Sequence, residues 1–339
     1  MRSYILGNDG YNYTAGYFTS NKWINSNKIV LARSQLSDIG QQSREAQLVV
    51  LQLDTMAVKL ICEDLSEWGN YTVFGSRIYY LTKNELKLYD TENGETEILY
   101  KTDREIAGSP HITRDGRYIS LFSYSDDCGM HCFRFDIELK IMEKIFEKKF
   151  RAPFPVANHV MICPTDKDLF FFAHEGNTEY ISNRLWLYDH KSKTMRNIAK
   201  QSLNENGDIS ECYGHEAWSH NGEGLYFVKY DLSPEKPHGI CYVNANSGHA
   251  DRLYGKYKYW HVSDSCDGAY LAADTRFPGK ESEIVLIDIA SGEERLVDIV
   301  PTSKTHPCHP HPMISPDNKK IACTSLDSMG NTCVKIIFL

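Results

Sequence analysis

The 339-residue sequence lacks any apolar run approaching the ~18 residues that a membrane-spanning helix needs. Its N-terminus, MRSYILGNDG, has neither the long apolar stretch nor the small-residue cleavage site of a secretory signal peptide. Positive charge is not in excess, because 45 acidic residues outnumber 37 basic ones and give a formal net charge of −8. These absences argue against a membrane partner, secretion and general nucleic-acid binding, and we expect a cytoplasmic protein with reduced cysteines.

Long apolar patterns with a helical period are also lacking, so few helices are expected. Short strands recur instead, and the third strand of each group has a similar form. Examples are LVVLQLD (48–54), ELKLYD (85–90), RLWLYD (184–189) and EIVLID (283–288). Several run into turns rich in Asn and Gly, which accept the backbone angles of tight hairpins.

The strand groups repeat with a nearly constant period. They begin near Trp23, Tyr71, His111, His159, His215, His261 and His309, at spacings of 48, 40, 48, 56, 46 and 48 residues. This period is typical of four-stranded propeller blades. The sequence therefore predicts an all-β fold, a seven-bladed β-propeller, as one domain over residues 1–339. Residues up to about 18 are expected to complete the last blade, and two stacked β-sandwiches are the alternative.

Histidines recur at one position of the repeat, the start of the innermost strand. Four share the position, namely His159, His215, His261 and His311. His111 and His309 lie two residues off this register and so on the same strand face. In a propeller the innermost strands line the central channel, so imidazoles distant in sequence would meet in one polar pocket.

The segment HPHP places His309 and His311 two residues apart. On one strand face, such a pair could bind a cation together with a histidine from a neighbouring blade. Neutral imidazole is a borderline ligand that suits Mn, Fe, Ni, Cu or Zn better than Ca or Mg alone. The sequence therefore predicts a divalent metal site whose occupant is left open at this point.

Four stretches carry a resemblance to a known family. They are HVMICPTDKDLFFFAHEGNTEYISNRLWLYD (159–189), CYGHEAW (212–218), HVSDSCDGAYLAAD (261–274) and HPHPMISPDN (309–318). They look like blades of the oligogalacturonate lyases, cytoplasmic enzymes that finish pectin breakdown in bacteria. The resemblance covers roughly residues 105–325 and continues more loosely through YFTSNKW (17–23). It implies a seven-bladed propeller, in agreement with the repeat.

The resemblance also implies a manganese ion and its ligands. A histidine corresponding to His261 and the pair His309 and His311 would hold the metal. The family's fourth ligand is a glutamine three residues before the pair, and this sequence has His306 there. An imidazole can still coordinate, so we expect a site of four histidines whose metal preference can differ from the family's.

Three further residues take roles from the resemblance. The family's catalytic base falls on His215 and its catalytic arginine on Arg184, which would also bind substrate. His174, in a His-Glu-Gly motif, is expected to contact substrate. Glu216 and Trp218 are expected to pack and to support these residues rather than to catalyse.

The implied reaction is β-elimination from digalacturonate or unsaturated digalacturonate, giving a keto-deoxyuronate. The C5 proton lies next to a carboxylate, so a metal and Arg184 would neutralise that carboxylate while His215 removes the proton.

Three alternatives remain open at this point. The first is a lyase of another uronide with the same mechanism. The second is a non-enzymatic propeller that acts as an interaction scaffold, for which clustered histidines have no use. The third is the propeller half of a prolyl-oligopeptidase-type enzyme, which would need a Gly-x-Ser-x-Gly motif that this sequence lacks.

Overall fold

The computed structural model describes residues 2–7, 9–36, 46–276 and 279–339. In these ranges 29 β-strands provide almost all of the regular structure, together with a 3₁₀ turn at Thr178–Tyr180. The strands pair into seven antiparallel sheets, which we number as blades 1 to 7 along the chain. The chain divides into two compact units, one of Met1–Lys101 with His261–Leu339 and one of Thr102–Trp260. The prediction of a single domain over residues 1–339 stays a prediction.

The first unit contains blades 1, 2, 6 and 7. Blade 1 consists of β2 Tyr11–Thr14, β3 Trp23–Asn25, β4 Lys28–Gln35, β5 Ala46–Gln52 and β6 Ala57–Leu65, and blade 2 of β7 Tyr71–Phe74, β8 Arg77–Leu81, β9 Glu85–Asp90 and β10 Thr96–Lys101. Blade 6 consists of β23 Tyr259–Asp264, β24 Tyr270–Thr275, β25 Glu281–Asp288 and β26 Glu294–Pro301, and blade 7 of β27 Met313–Ile314, β28 Lys320–Leu326, β29 Thr332–Phe338 and β1 Ser3–Leu6.

The second unit contains blades 3, 4 and 5. Blade 3 consists of β11 Ala107–Ile112, β12 Tyr118–Tyr124, β13 Met130–Asp136 and β14 Ile141–Lys148. Blade 4 consists of β15 Ala157–Ile162, β16 Leu169–His174, β17 Leu185–Asp189 and β18 Thr194–Ala199. Blade 5 consists of β19 Tyr213–Trp218, β20 Gly224–Lys229, β21 Gly239–Asn244 and β22 Ala250–Tyr254. The blades begin where the repeat predicts them, and each sheet consists of strands adjacent in sequence apart from β1. Two stacked sandwiches are therefore the wrong alternative.

The N-terminal segment is shared between two blades. Strand β1 pairs with β29 and completes blade 7, as predicted. Strand β2, which was expected to belong with it, pairs instead with β4 of blade 1. Because β3 pairs with the start of the same β4, the innermost strand of blade 1 is made in two pieces. The predicted assignment of residues up to about 18 to the last blade is thus correct only for β1.

Turns and apolar faces explain why the sequence forms these blades. In the hairpin of blade 6, Asp267 accepts hydrogen bonds from the Ser265 hydroxyl and the Ala269 amide, and Gly268 has a positive φ of 68°. Apolar side chains on facing sheets form the cores. Val50 and Ile78 belong to the core of blades 1 and 2, which lies within the first unit.

The described ranges contain no helix long and apolar enough to span a membrane. All ten cysteines lie in those ranges, and each is a free thiol.

Candidate functional site

Four histidines occupy an equivalent position in four blades. Each lies four residues before the residue whose backbone N–H closes the first hairpin, and the pairs are His159 with Cys163, His215 with Ser219, His261 with Ser265, and His311 with Ser315. The predicted common register is therefore confirmed. In blade 7, however, β27 begins only at Met313, so His309 and His311 precede the strand instead of lying within it.

Three of these histidines have a left-handed backbone. The φ angles are 56° at His159, 54° at His215 and 45° at His311. This conformation is uncommon for residues other than glycine and costs about 1–3 kcal/mol, so the surrounding structure must enforce it. In blades 4 and 5 the strand ladder shifts register at the histidine, as it does at a β-bulge. A bulge changes the direction of a side chain, and such features concentrate at functional sites.

His261, His309 and His311 form a compact cluster in the first unit. One ring nitrogen from each lies within 4.8 Å of the others. Their exposed fractions are only 0%, 5% and 0%. The ring centroids of His261 and His311 are 4.3 Å apart, and those of His261 and His309 are 5.5 Å apart. Three buried nitrogens at this separation can converge on a single metal ion.

Asp274 supports this cluster from β24. Its carboxylate oxygens lie 2.9 and 2.8 Å from Nδ1 of His261 and accept the backbone N–H of His261 and His311 at 2.9 and 3.1 Å. Because Nδ1 of His261 faces the carboxylate, Nε2 is the nitrogen that can coordinate a metal. Asp274 thus orients one ligand through its ring and a second through its backbone.

Burial favours the neutral form of His261 and His309, which is the form that binds metals. It lowers the pKa of His261 well below the usual value, with a further contribution from His309 and His306, and it lowers the pKa of His309. Burial also raises the pKa of Asp274 to about 7. Neutral imidazoles offer lone pairs, and a bound cation would compensate the carboxylate. The donor set therefore fits a borderline divalent metal.

His306 lies at the exposed edge of the cluster. Its ring centroid is 4.0 Å from that of His309 and 5.7 Å from that of His311, but its nitrogens are not among the three that converge. Trp68 stacks on His306 and on His311, with centroids 5.8 Å away in both cases. Phe18 also borders the cluster, 5.2 Å from His261. The predicted fourth ligand is therefore a neighbour of the metal cluster, and its coordination stays a prediction.

Arg184 is the centre of a separate group in the second unit. Its Nε donates to Glu216 Oε1 at 2.6 Å, and Nη1 lies 3.5 Å from Glu175 Oε1 and from the carbonyl oxygen of His174. Arg184 is 4% exposed and Glu216 is 1% exposed. Nη2 makes no hydrogen bond to the described residues, so this edge of the guanidinium is available to a substrate carboxylate.

The charges in this group stabilise one another. Burial alone would raise the pKa of Glu216, but Arg184 and His159 outweigh it and hold that pKa well below the usual range. The pKa of Glu175 is lowered in the same way. His159 lies between the two acids, with Nδ1 3.4 Å from Glu216 Oε2 and Nε2 3.8 Å from Glu175 Oε2. Glu216 thus has the supporting position that the sequence predicted.

His215, the predicted base, is half-buried in β19. Its Nδ1 lies 2.8 Å from the hydroxyl of Tyr230, and the ring centroid of Trp260 is 5.2 Å away. Half-burial is compatible with a group that must exchange protons with a substrate, since the residue is partly accessible to solvent.

His174 is held by its surroundings in blade 4. Its Nε2 lies 2.8 Å from the carbonyl oxygen of Phe154, and its ring stacks on Phe150 with centroids 3.7 Å apart. Burial lowers its pKa. Because Nε2 already contacts the backbone, only Nδ1 or the face of the ring could contact a substrate. The contact of His174 with substrate stays a prediction.

Sequence reasoning missed several residues that support the site. Asp274 closes the quoted stretch HVSDSCDGAYLAAD, and Phe18 lies in YFTSNKW, so both were within the family-like segments. Glu175 is the acid of the His-Glu-Gly motif, which the sequence analysis used only for His174. Trp68 and Tyr230 had no signal in the repeat, because their positions depend on packing between strands.

Comparison with known sequences gives two relatives, while no family model matches the chain. The chain is 24% identical to the oligogalacturonate lyase of Dickeya dadantii over 185 residues, which cover 49% of this chain and 46% of that protein. It is 22% identical to the oligogalacturonide lyase of Pectobacterium atrosepticum over 185 residues, with the same coverage. The matched part of the chain spans about half the length of these curated relatives.

Comparison with solved structures extends the likeness to the whole chain. The structure described as an oligogalacturonate lyase in complex with manganese has a TM-score of 0.81 and 17% identity, covering 100% of this chain and 96% of that one. The oligogalacturonate lyase from Vibrio parahaemolyticus has a TM-score of 0.80 and 16% identity, covering 99% and 96%. These comparisons confirm the predicted seven-bladed β-propeller fold and the resemblance to the oligogalacturonate lyases.

Proposed function

We propose that this chain, which resembles the oligogalacturonate lyases in sequence and in fold, is a metal-dependent lyase. Its substrates would be short galacturonate oligomers such as digalacturonate or unsaturated digalacturonate, cleaved by β-elimination to a keto-deoxyuronate. The observation that carries the proposal is the buried cluster of His261, His309 and His311 oriented by Asp274. A propeller that served only as an interaction scaffold would have no need for such a cluster.

The metal would be held by His261, His309 and His311, with His306 as the fourth ligand. Manganese is our choice because a solved oligogalacturonate lyase of the same fold is described in complex with that metal. When bound, the ion would neutralise the uronate carboxylate and make the adjacent C5 proton more acidic. Asp274 would keep the His261 ring in the orientation and tautomer that coordination needs.

Arg184 and His215 would act on the substrate directly. The Nη2 edge of Arg184 would bind the uronate carboxylate, with Glu216 and Glu175 fixing the guanidinium in place. The imidazole of His215 would take the C5 proton, since histidine titrates near neutral pH. As the C4–O bond breaks, its electron pair leaves with the oxygen and the C5–H pair forms the new double bond. His174 would line the substrate path beside Arg184.

The proposal also specifies which uronide is the substrate, namely galacturonate. The replacement of the expected glutamine by His306 changes the donor at one edge of the metal cluster. A lyase of another uronide with the same mechanism is therefore the second candidate. Both candidates use the same base and metal ligands, so they differ only in which oligosaccharide yields product.

The test is a lyase assay on the metal-free full chain, with digalacturonate and with or without Mn²⁺. We expect a keto-deoxyuronate to form only with the metal, EDTA to abolish the reaction and Mn²⁺ to restore it. His215→Ala should remove activity and retain the metal, whereas His220→Ala, in the turn of the same blade, should change neither. Product from another uronide alone would favour the second candidate. Absence of both product and bound metal would overturn the proposal and favour the interaction scaffold.

A further inference from the structure

Three of the four histidines at the repeat position share an orientation of the ring. Nδ1 of His159 faces Glu216 Oε2 at 3.4 Å, and Nδ1 of His261 faces Asp274 Oδ2 at 2.8 Å. Nδ1 of His215 faces the hydroxyl oxygen of Tyr230 at 2.8 Å. In each case the ring is turned so that Nδ1 meets an oxygen of its own unit. The other nitrogen, Nε2, is the one presented away from that oxygen.

The surroundings of Tyr230 are built to bring its hydroxyl to His215. A Cβ added to Gly214 would overlap the Tyr230 oxygen, so any larger residue before His215 would displace the phenol. The Tyr230 backbone is fixed by its N–H to the carbonyl of Cys212 at 2.9 Å. Trp260 packs against both rings, with centroids 5.2 Å from His215 and 5.0 Å from Tyr230.

We propose that Tyr230 is a positioning residue that sets the tautomer of His215. The Nδ1–H of His215 donates to the Tyr230 oxygen, which leaves Nε2 without a proton. This inference rests on the proposed function, because a bare Nε2 is what the base of the elimination needs. The opposite assignment, with the phenol donating to Nδ1, would put the proton on Nε2 and block that nitrogen.

The proton balance of the step follows from this tautomer. The C5–H bond breaks, its proton forms a new bond to Nε2, and its electron pair becomes the C4–C5 double bond. The leaving oxygen departs with the C4–O pair and takes a proton from water. His215 is then an imidazolium whose Nδ1–H still donates to Tyr230, so the ring does not rotate during the step. Loss of the Nε2 proton to water restores the base.

The first experiment measures the tautomer and does not depend on activity. Nitrogen-15 NMR of metal-free protein with labelled histidine distinguishes a protonated Nδ1 from a protonated Nε2, and His215→Gln identifies the signal. We expect the Nδ1–H form in the native chain. In Tyr230→Phe, which keeps the ring and loses the hydroxyl, the signal should move towards the Nε2–H form that free imidazole side chains favour. A native Nε2–H form, or an unchanged tautomer in the variant, would overturn the proposal.

The second experiment uses the lyase assay with the substrate that the native chain cleaves. Tyr230→Phe should lower kcat about 10- to 100-fold, as loss of an orienting partner does elsewhere, while KM stays within about twofold. Tyr226→Phe on β20, a buried tyrosine that packs on Tyr242, is the matched control and should leave both constants unchanged. An unchanged kcat in Tyr230→Phe would contradict the positioning role. If no uronide is cleaved, the proposed function fails, while the NMR result still decides the tautomer.

Discussion

The metal cluster of the first unit and the Arg184 group of the second unit both contain a histidine at the repeat position, but they differ in charge. In the first unit, three buried imidazoles gather beside one buried carboxylate, that of Asp274. In the second unit, Arg184 is held by two carboxylates, those of Glu216 and Glu175. The first group consists of donors suited to a cation, whereas the second already contains its own cation. The repeat decides where a histidine stands, and its neighbours decide what chemistry it can perform.

This difference has a consequence for substrate binding. One guanidinium against two carboxylates leaves the Arg184 group without excess positive charge. A uronate would not be attracted there by charge alone. We therefore expect Arg184 to contribute directed hydrogen bonds to a bound uronate rather than a net attraction of charge.

Two variants, His215→Ala and His261→Ala, should distinguish most clearly between the role of the proposed base and the role of the metal cluster. His215→Ala should lower kcat by about 10²- to 10⁴-fold, because the base is lost, and should leave the metal bound. His261→Ala should lose both activity and metal, because the ring supplies a ligand. Turnover and metal content by elemental analysis, measured on the same samples, check this. Loss of metal in His215→Ala would show that the two groups do not have separate tasks.

Arg184→Ala should destabilise the fold as well as reduce activity. Removal of the guanidinium leaves Glu216 buried with an uncompensated charge, so the free energy of unfolding should fall by about 3–5 kcal/mol. Denaturant unfolding measures the change. Arg117→Ala, which breaks an ion pair with Asp136 at the surface, is the matched control and should cost less than about 1 kcal/mol.

The same variant should change the pH dependence of stability. In the native chain burial raises the pKa of Glu216, but Arg184 and His159 outweigh it, so the folded pKa lies below the usual value of an unfolded glutamate. The ionised carboxylate therefore adds stability above that value, and this stability is lost as pH falls through the folded pKa. In Arg184→Ala burial dominates, so the stability difference from the native chain should narrow on acidification. A difference that stays constant from neutral to acidic pH would contradict this account.

Asp274→Asn tests the support of the metal cluster. The substitution keeps the shape of the side chain and removes the charge that faces His261, so affinity for Mn²⁺ should fall about 10- to 100-fold. Titration calorimetry on metal-free protein gives the affinity. Asp267→Asn, in the turn of the same blade, should bind the metal normally. Equal affinity for Mn²⁺ in Asp274→Asn and in the native chain would show that Asp274 does not support the metal site.

His306→Ala should have the smallest effect. Because the residue is exposed at the edge of the cluster, we expect affinity for Mn²⁺ to fall by about 10-fold or less, below the loss from Asp274→Asn. The same titration measures it. A loss as large as that of His261→Ala would contradict the placement of His306 at the edge of the cluster.

The sequence was sufficient for the blades and for the positions of the histidines. Turn residues such as Asp267 and Gly268 mark the hairpins, and counting back from them identifies His261 and His311 as equivalent. The spacing of blades also follows from those turns. The assignment of β1 to blade 7 and of β2 to blade 1 could not be predicted from the sequence. The residue pattern of either strand allows it to pair with the edge of either blade.

The residues that support the site could not be predicted from the repeat pattern of the sequence. Asp274, Glu175 and Tyr230 act through contacts made across strands, which depend on register and rotamer. His306 stands among prolines before β27, where no strand period gives the direction of a side chain. The family resemblance predicted that His306 is a metal ligand, whereas its exposure to solvent is visible only in the folded structure.

The most direct measurement is the binding of Mn²⁺ to the metal-free chain, followed by electron paramagnetic resonance and calorimetry. We predict one ion per chain in the native protein, and loss of that ion in His311→Ala, whose ring is fully buried in the cluster. A native chain that binds no divalent metal, or a His311→Ala variant that binds it equally well, would contradict the metal-dependent account.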